Sequence, residues 1–131
     1  MPAATVAHNG GDMLSIAIRG HVIHVDQPES DGGDDTAPSP TELFVASLAS
    51  CVAFYARRYL PRHNLTEGGL TVAAKAESGS QPSRVARMTI TLTLPEGVPE
   101  HKRDALLAVA SHCTVHNTLT HPPEVLVQLA D

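Results

Sequence analysis

The first 26 residues alternate between short apolar runs and residues that form tight turns. The runs at 4–8, 13–18 and 21–26 are rich in Val, Ile, Leu and Ala, which predicts three short strands. Asn9–Gly11 separates the first two runs, and Arg19–Gly20 separates the second from the third. Both are strong hairpin-turn signals. The pattern therefore predicts an antiparallel meander.

A polar loop and a long apolar helix are predicted next. The acidic, glycine-rich stretch 27–38 favours an exposed loop. In the motif at 39–42, the serine suits a helix N-cap, the proline suits the first helical position, and Glu42 can reach back to the cap. No charge lies between Glu42 and Arg57, so the helix is apolar all round until Pro61, where we expect it to end. Such a helix is expected to be covered by its own sheet and by a second subunit.

The second half of the chain predicts two more strands, two helices and a final strand. The two strands are placed at 70–76 and 86–94, and the second alternates apolar and polar residues, which is typical of an antiparallel sheet with one wet face. Helices are predicted at 100–111 and, more briefly, at 115–121, and the last strand at 125–129. The main elements follow the order β-β-β-α-β-β-α-β, an α+β fold.

Composition places the chain among ordinary folded proteins. Its 131 residues fit a single domain, 1–131, and aromatic residues make up only 3%, so the core must be aliphatic and could gain from pairing with a second copy. The net charge of −5 argues against nucleic acid as a partner. We expect no membrane association, because no apolar run reaches the roughly 20 residues that cross a bilayer. No secretory leader is visible, so we expect a cytoplasmic protein.

Two cysteines, Cys51 and Cys113, are the residues most able to carry chemistry. In the reducing cytosol, a pair that can meet is more often catalytic or redox-sensing than structural. Two unrelated buried thiols are the alternative. Cys51 lies on the apolar helix, where burial raises a thiol pKa and a cation lowers it, and Arg58 is the one cation near it on that helix. Cys113 follows the second long helix among polar residues.

The sequence gives little support for a metal site or a nucleotide-binding site. His112 and His116 would share a helical face beside Cys113, a spacing that can bind zinc, but there is no Cys-x-x-Cys motif. No phosphate-binding loop, Gly-x-Ser-x-Gly elbow or His-Glu-x-x-His motif occurs. We therefore expect neither a metal nor another cofactor.

The stretch 37–51 resembles the signature of the OsmC/Ohr superfamily. In that superfamily a Pro-x-Glu-Leu-like helix start leads through small residues to the first catalytic cysteine, which here is Cys51. The second family cysteine lies near the end of the other long helix, where Cys113 stands. The Ser-Pro-x-Glu-Leu form and the Gly-His-x-Ile-x-x-Asp strand at 20–26 are most similar to the YhfA-like branch.

This resemblance implies an intertwined homodimer whose central, cysteine-bearing helices pack on antiparallel sheets. It also implies a thiol-dependent peroxidase that reduces organic hydroperoxides. Cys51 would attack the peroxide and become a sulfenic acid, and Cys113 would resolve it as a disulfide. An external dithiol, for example of the lipoyl type, would then reduce the disulfide.

This sequence differs from the superfamily's pattern at the residues that activate the first cysteine. The family glutamate falls ten positions before that cysteine, which here is Thr41, and Glu42 stands one position later. Arg19 is the only arginine among the early strands that could supply the family's activating cation. The candidate site is therefore Cys51, Cys113, Glu42 and Arg19. The alternatives are a non-catalytic dimer of the same fold that binds a small molecule or senses redox state, and a structural dimer with inert thiols.

Overall fold

The structure is a computed structural model that describes residues 3–66 and 68–130. The chain divides into two compact units, Met1–Phe44 and Val45–Asp131. Within the described residues, the first unit holds a three-stranded sheet and the second holds a two-stranded sheet. The α+β class and the predicted order of the first seven main elements are confirmed.

The first unit begins with the predicted meander. Strands β1 (Thr5–Gly10), β2 (Met13–Ile18) and β3 (His21–Val25) pair antiparallel in the order β1-β2-β3. Arg19 and Gly20 form the second turn with φ angles of 50° and 94°. Positive φ at both central residues matches the right-handed twist of the flanking strands, so this turn closes a tight hairpin.

The polar loop after β3 is fastened to the end of that strand. Asp26 is only 2% exposed. Its carboxylate accepts hydrogen bonds from the Thr36 hydroxyl (2.7 Å), the Thr36 backbone N–H (3.0 Å) and the Gln27 backbone N–H (2.7 Å). The Asp26 N–H donates to the Pro38 carbonyl at 3.1 Å. The loop is largely exposed, as predicted, but its two ends are joined through Asp26.

The hydrogen bonds to the Asp26 carboxylate are expected to stabilise the fold at neutral pH and to lose that effect in acid. Hydrogen bonds, first from the Thr36 side chain, hold the pKa of Asp26 below its usual value. A depressed folded-state pKa stabilises the fold above the unfolded value, about 3.9, and that contribution disappears as the pH falls through the folded value. Asp26→Asn should therefore lose stability at pH 7 and show a flatter decline in acid, measured by urea unfolding between pH 7 and pH 2. Asp31→Asn in the same loop is the matched control. Parallel pH profiles for native protein and Asp26→Asn would contradict the assignment.

The long helix α1 spans Pro40–Arg62. Its start is the predicted capping box: the Ser39 N–H donates to Glu42 Oε1 at 2.9 Å, and the Glu42 N–H donates to Ser39 Oγ at 3.1 Å. The prediction that Pro61 ends the helix is wrong, because α1 includes Pro61 and ends at the next residue. In the last turn, the missing proline N–H removes only one helical hydrogen bond, which the helix tolerates.

One row of α1 is buried and another is exposed. The buried residues of the helix are Leu48, Val52, Ala56, Tyr59 and Leu60. Phe44 and Phe54 are exposed, so within a single subunit the helix is not covered on all sides. By length and composition alone α1 could cross a membrane, contrary to the expectation from the sequence. A core helix passes the same test, and the buried row of α1 belongs to the core, so this is weak evidence of a span.

The second unit continues with a hairpin and two helices. Strands β4 (Thr71–Gly79) and β5 (Arg84–Thr93) pair antiparallel. The predicted alternation along β5 is confirmed, with Met88, Ile90 and Leu92 half-buried between exposed polar residues. Helices α2 (Glu100–Ala110) and α3 (Thr114–Thr120) follow. The core joins the buried row of α1 to three buried residues after β5, which are Leu106, Ala110 and Cys113.

The predicted final strand is wrong for this structure. Residues 125–129 belong to no strand, and Val127 and Leu129 are 94% and 95% exposed. β-branched residues favour a pleated, half-buried surface, but a strand also needs a neighbour for its backbone hydrogen bonds. No described strand supplies that neighbour to this segment.

Candidate functional site

Cys51 stands at the border between the buried and exposed faces of α1. Its side chain is half-buried and packs against the core. Leu48 precedes it by three positions and Tyr55 follows it by four, so all three share one face of the helix. The thiol is thus held among apolar neighbours while part of it remains open to solvent.

Cys113 lies between α2 and α3 and is 0% exposed. It is the N-cap of α3: its backbone is extended, with φ −69° and ψ 158°, and its sulfur accepts the backbone N–H of His116 at 3.4 Å. Its carbonyl oxygen accepts the Asn117 N–H at 2.9 Å. The sulfur therefore takes the place that a serine or threonine oxygen usually takes at a helix start.

The structure places the two thiols in one cluster, because Cys51 packs against the buried core that contains Cys113. Burial raises the pKa of the Cys113 thiol, and the adjacent Cys51 side chain raises that pKa further, while the His116 N–H acts in the opposite direction. Both cysteines are free thiols. Two reduced sulfurs that lie far apart in sequence and interact in the fold form the chemical centre of this site.

Aromatic and polar side chains that follow the two cysteines in the chain contact one another. The Tyr55 and Thr114 hydroxyls share a hydrogen bond of 3.1 Å, which joins α1 to α3. The Tyr55 ring meets the Phe54 ring edge to face, with centroids 5.6 Å apart. Arg58, the cation that the sequence placed near Cys51, has its guanidinium 5.2 Å from the centroid of the Phe54 ring. Phe54 thus carries a cation–π contact.

The other two predicted site residues lie in the first unit. Glu42 is engaged with Ser39 in the capping box, and the Ser39 backbone N–H is the main cause that lowers its pKa. Its capping role is confirmed. Arg19 lies in the turn between β2 and β3. A role for either residue at Cys51 stays a prediction.

The two histidines near Cys113 form hydrogen bonds with residues close to them in the chain. His112 Nδ1 lies 2.7 Å from the Ala108 carbonyl oxygen, and His116 uses its backbone N–H to reach Cys113. Across residues 3–66 and 68–130, no group of three or more His, Cys, Asp or Glu side chains is placed to hold a metal ion.

A groove of about 330 Å³ lies between β5 and α2, and neither cysteine lines it. Its apolar lining comes from both elements, while Arg103 and Asp104 of α2 supply charge. The apolar residues are Ile90, Leu92, Leu94, Leu106 and Leu107. The groove is therefore separate from the thiol pair.

Sequence reasoning missed the hydrogen bond between Tyr55 and Thr114. The sequence pattern gave neither residue a role. A usable signal was present, because each residue sits beside a cysteine: Tyr55 one turn after Cys51, and Thr114 directly after Cys113.

Comparison with known proteins identifies the family. The family model described as OsmC-like protein matches residues 32–128, and no curated protein sequence matches the chain. A proposed osmotic stress induced and detoxification response protein from Psychrobacter arcticus 273-4 superposes with a TM-score of 0.83 at 23% identity, covering 90% of this chain and 88% of that one. An OsmC like protein from Mycoplasma pneumoniae gives 0.80 at 16% identity, covering 93% and 89%.

A third solved structure is an organic hydroperoxide resistance protein OsmC from Legionella pneumophila. It superposes with a TM-score of 0.65 at 18% identity, covering 91% of this chain and 88% of that one. At these identities the three structures show a shared fold, which is the OsmC/Ohr fold. The family model adds membership, because it matches well over half of the chain. The chain therefore belongs to the OsmC-like protein family.

Proposed function

We propose that this protein is a thiol-dependent peroxidase that reduces organic hydroperoxides in the cytoplasm through Cys51 and Cys113. The observation that carries the proposal is the packing of two free thiols of unequal exposure in one cluster: Cys113 is buried in the core, and Cys51 packs against it while half-buried. Family membership supports a peroxidase-like role, and solved structures of the same fold include organic hydroperoxide resistance proteins. The proposal assigns each cysteine one step.

Cys51 is assigned the attack on the peroxide because it is the more accessible thiol. Its thiolate attacks one oxygen of the O–O bond, that bond breaks, and the other oxygen leaves as an alkoxide that takes up a proton to become an alcohol. Cys51 is oxidised to a sulfenic acid. Apolar neighbours such as Leu48 and Tyr55 favour a peroxide with an organic substituent over hydrogen peroxide.

Cys113 is assigned the resolving step. Its sulfur attacks the sulfur of the Cys51 sulfenic acid, the S–O bond breaks, and the departing hydroxide combines with the thiol proton to form water. Burial raises the pKa of the Cys113 thiol, which disfavours its thiolate and therefore its own attack on the peroxide. Its complete burial also protects it from direct oxidation.

An external dithiol, for example of the lipoyl type, completes the cycle. One thiolate of the dithiol attacks the accessible Cys51 sulfur, and Cys113 leaves as the thiolate and is protonated. The second thiol of the reductant then displaces Cys51, which releases the oxidised dithiol. Arg19 and Glu42 are the candidate groups that activate Cys51 in the first step.

A peroxide-consumption assay tests the proposal. We expect the purified chain with dihydrolipoamide to consume cumene hydroperoxide faster than hydrogen peroxide, with one dithiol oxidised for each peroxide reduced. Intact mass and thiol titration should detect the Cys51–Cys113 disulfide after peroxide is added without reductant. Peroxide loss no faster than in protein-free buffer would refute the function.

We also propose that the working unit is a homodimer. Exposed apolar surface supports this: Phe54 on α1 is 52% exposed, and residues 125–129 form a nearly bare apolar segment. A protein rarely leaves a run of large apolar side chains this exposed to water. A second copy could supply the backbone neighbour that the predicted last strand lacks.

The dimer predicts a mass of twice 13.8 kDa in sedimentation equilibrium. The double variant Val127→Asp and Leu129→Asp should shift the equilibrium to the monomer, because burying two carboxylates in an apolar interface is costly. Gln128→Asp adds one charge between them at an exposed polar position and should remain dimeric. Native protein that sediments only as a monomer at micromolar concentration would exclude the dimer.

A second candidate function is non-catalytic binding of an apolar small molecule. The groove between β5 and α2 supports it, because Leu and Ile side chains line it beside Arg103 and Asp104, and neither cysteine does. A ligand that co-purifies with the chain, in the absence of any peroxide turnover, would support this candidate over the peroxidase.

A further inference from the structure

A hydrogen bond next to the thiol pair ties the two cysteine-bearing segments together. The hydroxyls of Tyr55 and Thr114 lie 3.1 Å apart. Tyr55 is one helical turn after Cys51 on α1, and Thr114 directly follows Cys113 at the start of α3. The bond therefore spans the same gap between helices that a Cys51–Cys113 disulfide would close.

Both ends of this bond are held by other contacts. The Tyr55 side chain packs against the core and meets Phe54 edge to face. On the other side, the Cys113 sulfur accepts the His116 N–H, and the Asn117 side chain donates to the His112 carbonyl at 3.2 Å. The Tyr55 ring and the backbone around Cys113 are therefore each held by contacts besides the Tyr55–Thr114 bond.

We propose that Tyr55 and Thr114 are positioning residues that favour closure of the Cys51–Cys113 disulfide. Disulfide formation within one chain depends on the effective concentration of one sulfur near the other. A link that restrains the Cys113 segment against α1 raises that concentration. The inference deepens the proposed function and rests on it, since closure matters to the cell only if the two thiols cycle.

The test measures the disulfide equilibrium in a buffer of reduced and oxidised dithiothreitol, without peroxide. The reaction exchanges two protein thiols and one oxidised dithiothreitol for one protein disulfide and one reduced dithiothreitol. We expect Tyr55→Phe and Thr114→Val each to lower the equilibrium constant by up to about fivefold, the ratio that one ordinary hydrogen bond gives when it stabilises only the disulfide form. The double variant should fall no further, because both substitutions remove the same bond.

Two threonine variants separate positioning from general damage. Thr114→Ser keeps the hydroxyl and should restore the native constant. Thr118→Val removes a hydroxyl that donates within α3, to the Thr114 carbonyl at 2.8 Å, and should leave the constant unchanged. Unfolding of the reduced proteins checks that all variants are folded, and a loss of stability with a native redox constant would mean a merely structural role.

The outcomes for this inference and for the peroxidase are distinct. Equal constants for native protein and Tyr55→Phe, or an equal loss in Thr118→Val, would overturn the positioning role while leaving peroxide turnover intact. A lowered constant in Tyr55→Phe, in a protein that consumes no peroxide, would support the positioning role and reject the peroxidase.

Discussion

Cys51→Ser is expected to abolish peroxide turnover, lowering the rate by at least about 1,000-fold. A serine hydroxyl does not ionise near neutral pH and forms no sulfenic acid, so neither the attack on the O–O bond nor the disulfide is available. The measurement is consumption of cumene hydroperoxide with dihydrolipoamide, with protein-free buffer as the baseline. The expected loss is large because Cys51 has no substitute: the other thiol is fully buried.

Ala53→Ser is the matched control for this substitution. It places the same hydroxyl on the same helix at another half-buried position, so it reports any effect of a serine on α1 itself. We expect it to turn over peroxide within about twofold of the native rate. Equal turnover by native protein and Cys51→Ser would reject Cys51 as the nucleophile.

Cys113→Ser is expected to leave the first oxidation intact and to block disulfide closure. The sulfenic acid on Cys51 should accumulate, react with dimedone, and pass on to the sulfinic acid as more peroxide is added. Steady-state turnover with the dithiol should fall by at least about tenfold, since the disulfide that the dithiol attacks no longer forms. Native-rate turnover by Cys113→Ser would remove the resolving role.

Because Cys113 is also the N-cap of α3, two substitutions can distinguish its redox role from its contribution to stability. Serine can replace the Cys113 sulfur as the acceptor of the His116 N–H, so Cys113→Ser should keep α3 capped. Cys113→Ala loses both the thiol and the cap. It should therefore show the same defect in turnover with a further loss of about 1 kcal/mol in the free energy of unfolding. Thermal and urea unfolding of the two variants measure the difference.

Features of the fold that depend on local sequence were predictable. The turn at Arg19–Gly20 and the capping box of Ser39 and Glu42 involve neighbours in the chain, and the structure contains both. Features that depend on distant partners were not. The apolar pattern at 125–129 indicates β propensity, but the pairing that makes a strand is missing from the described chain. Hydropathy likewise did not show which row of α1 faces the core.

The site was predictable to the same limited degree. The positions of Cys51 on one helix and Cys113 after another followed from the pattern, and the family resemblance suggested that they meet. Their contact and unequal burial needed the tertiary structure, because spacing along the chain does not determine how α1 packs against α3. The Tyr55–Thr114 bond was missed for the same reason, as it joins residues 59 positions apart.

Because Cys113 is buried in the core, the number of thiols that a reagent detects depends on whether the protein is folded. A bulky alkylating reagent added to folded, reduced protein should label one cysteine per chain promptly, and the second only after denaturant opens the core. A thiol titration of the folded protein would thus detect only one of the two cysteines that can form the disulfide. Titration in guanidinium is the proper reference for any redox stoichiometry measured on this chain.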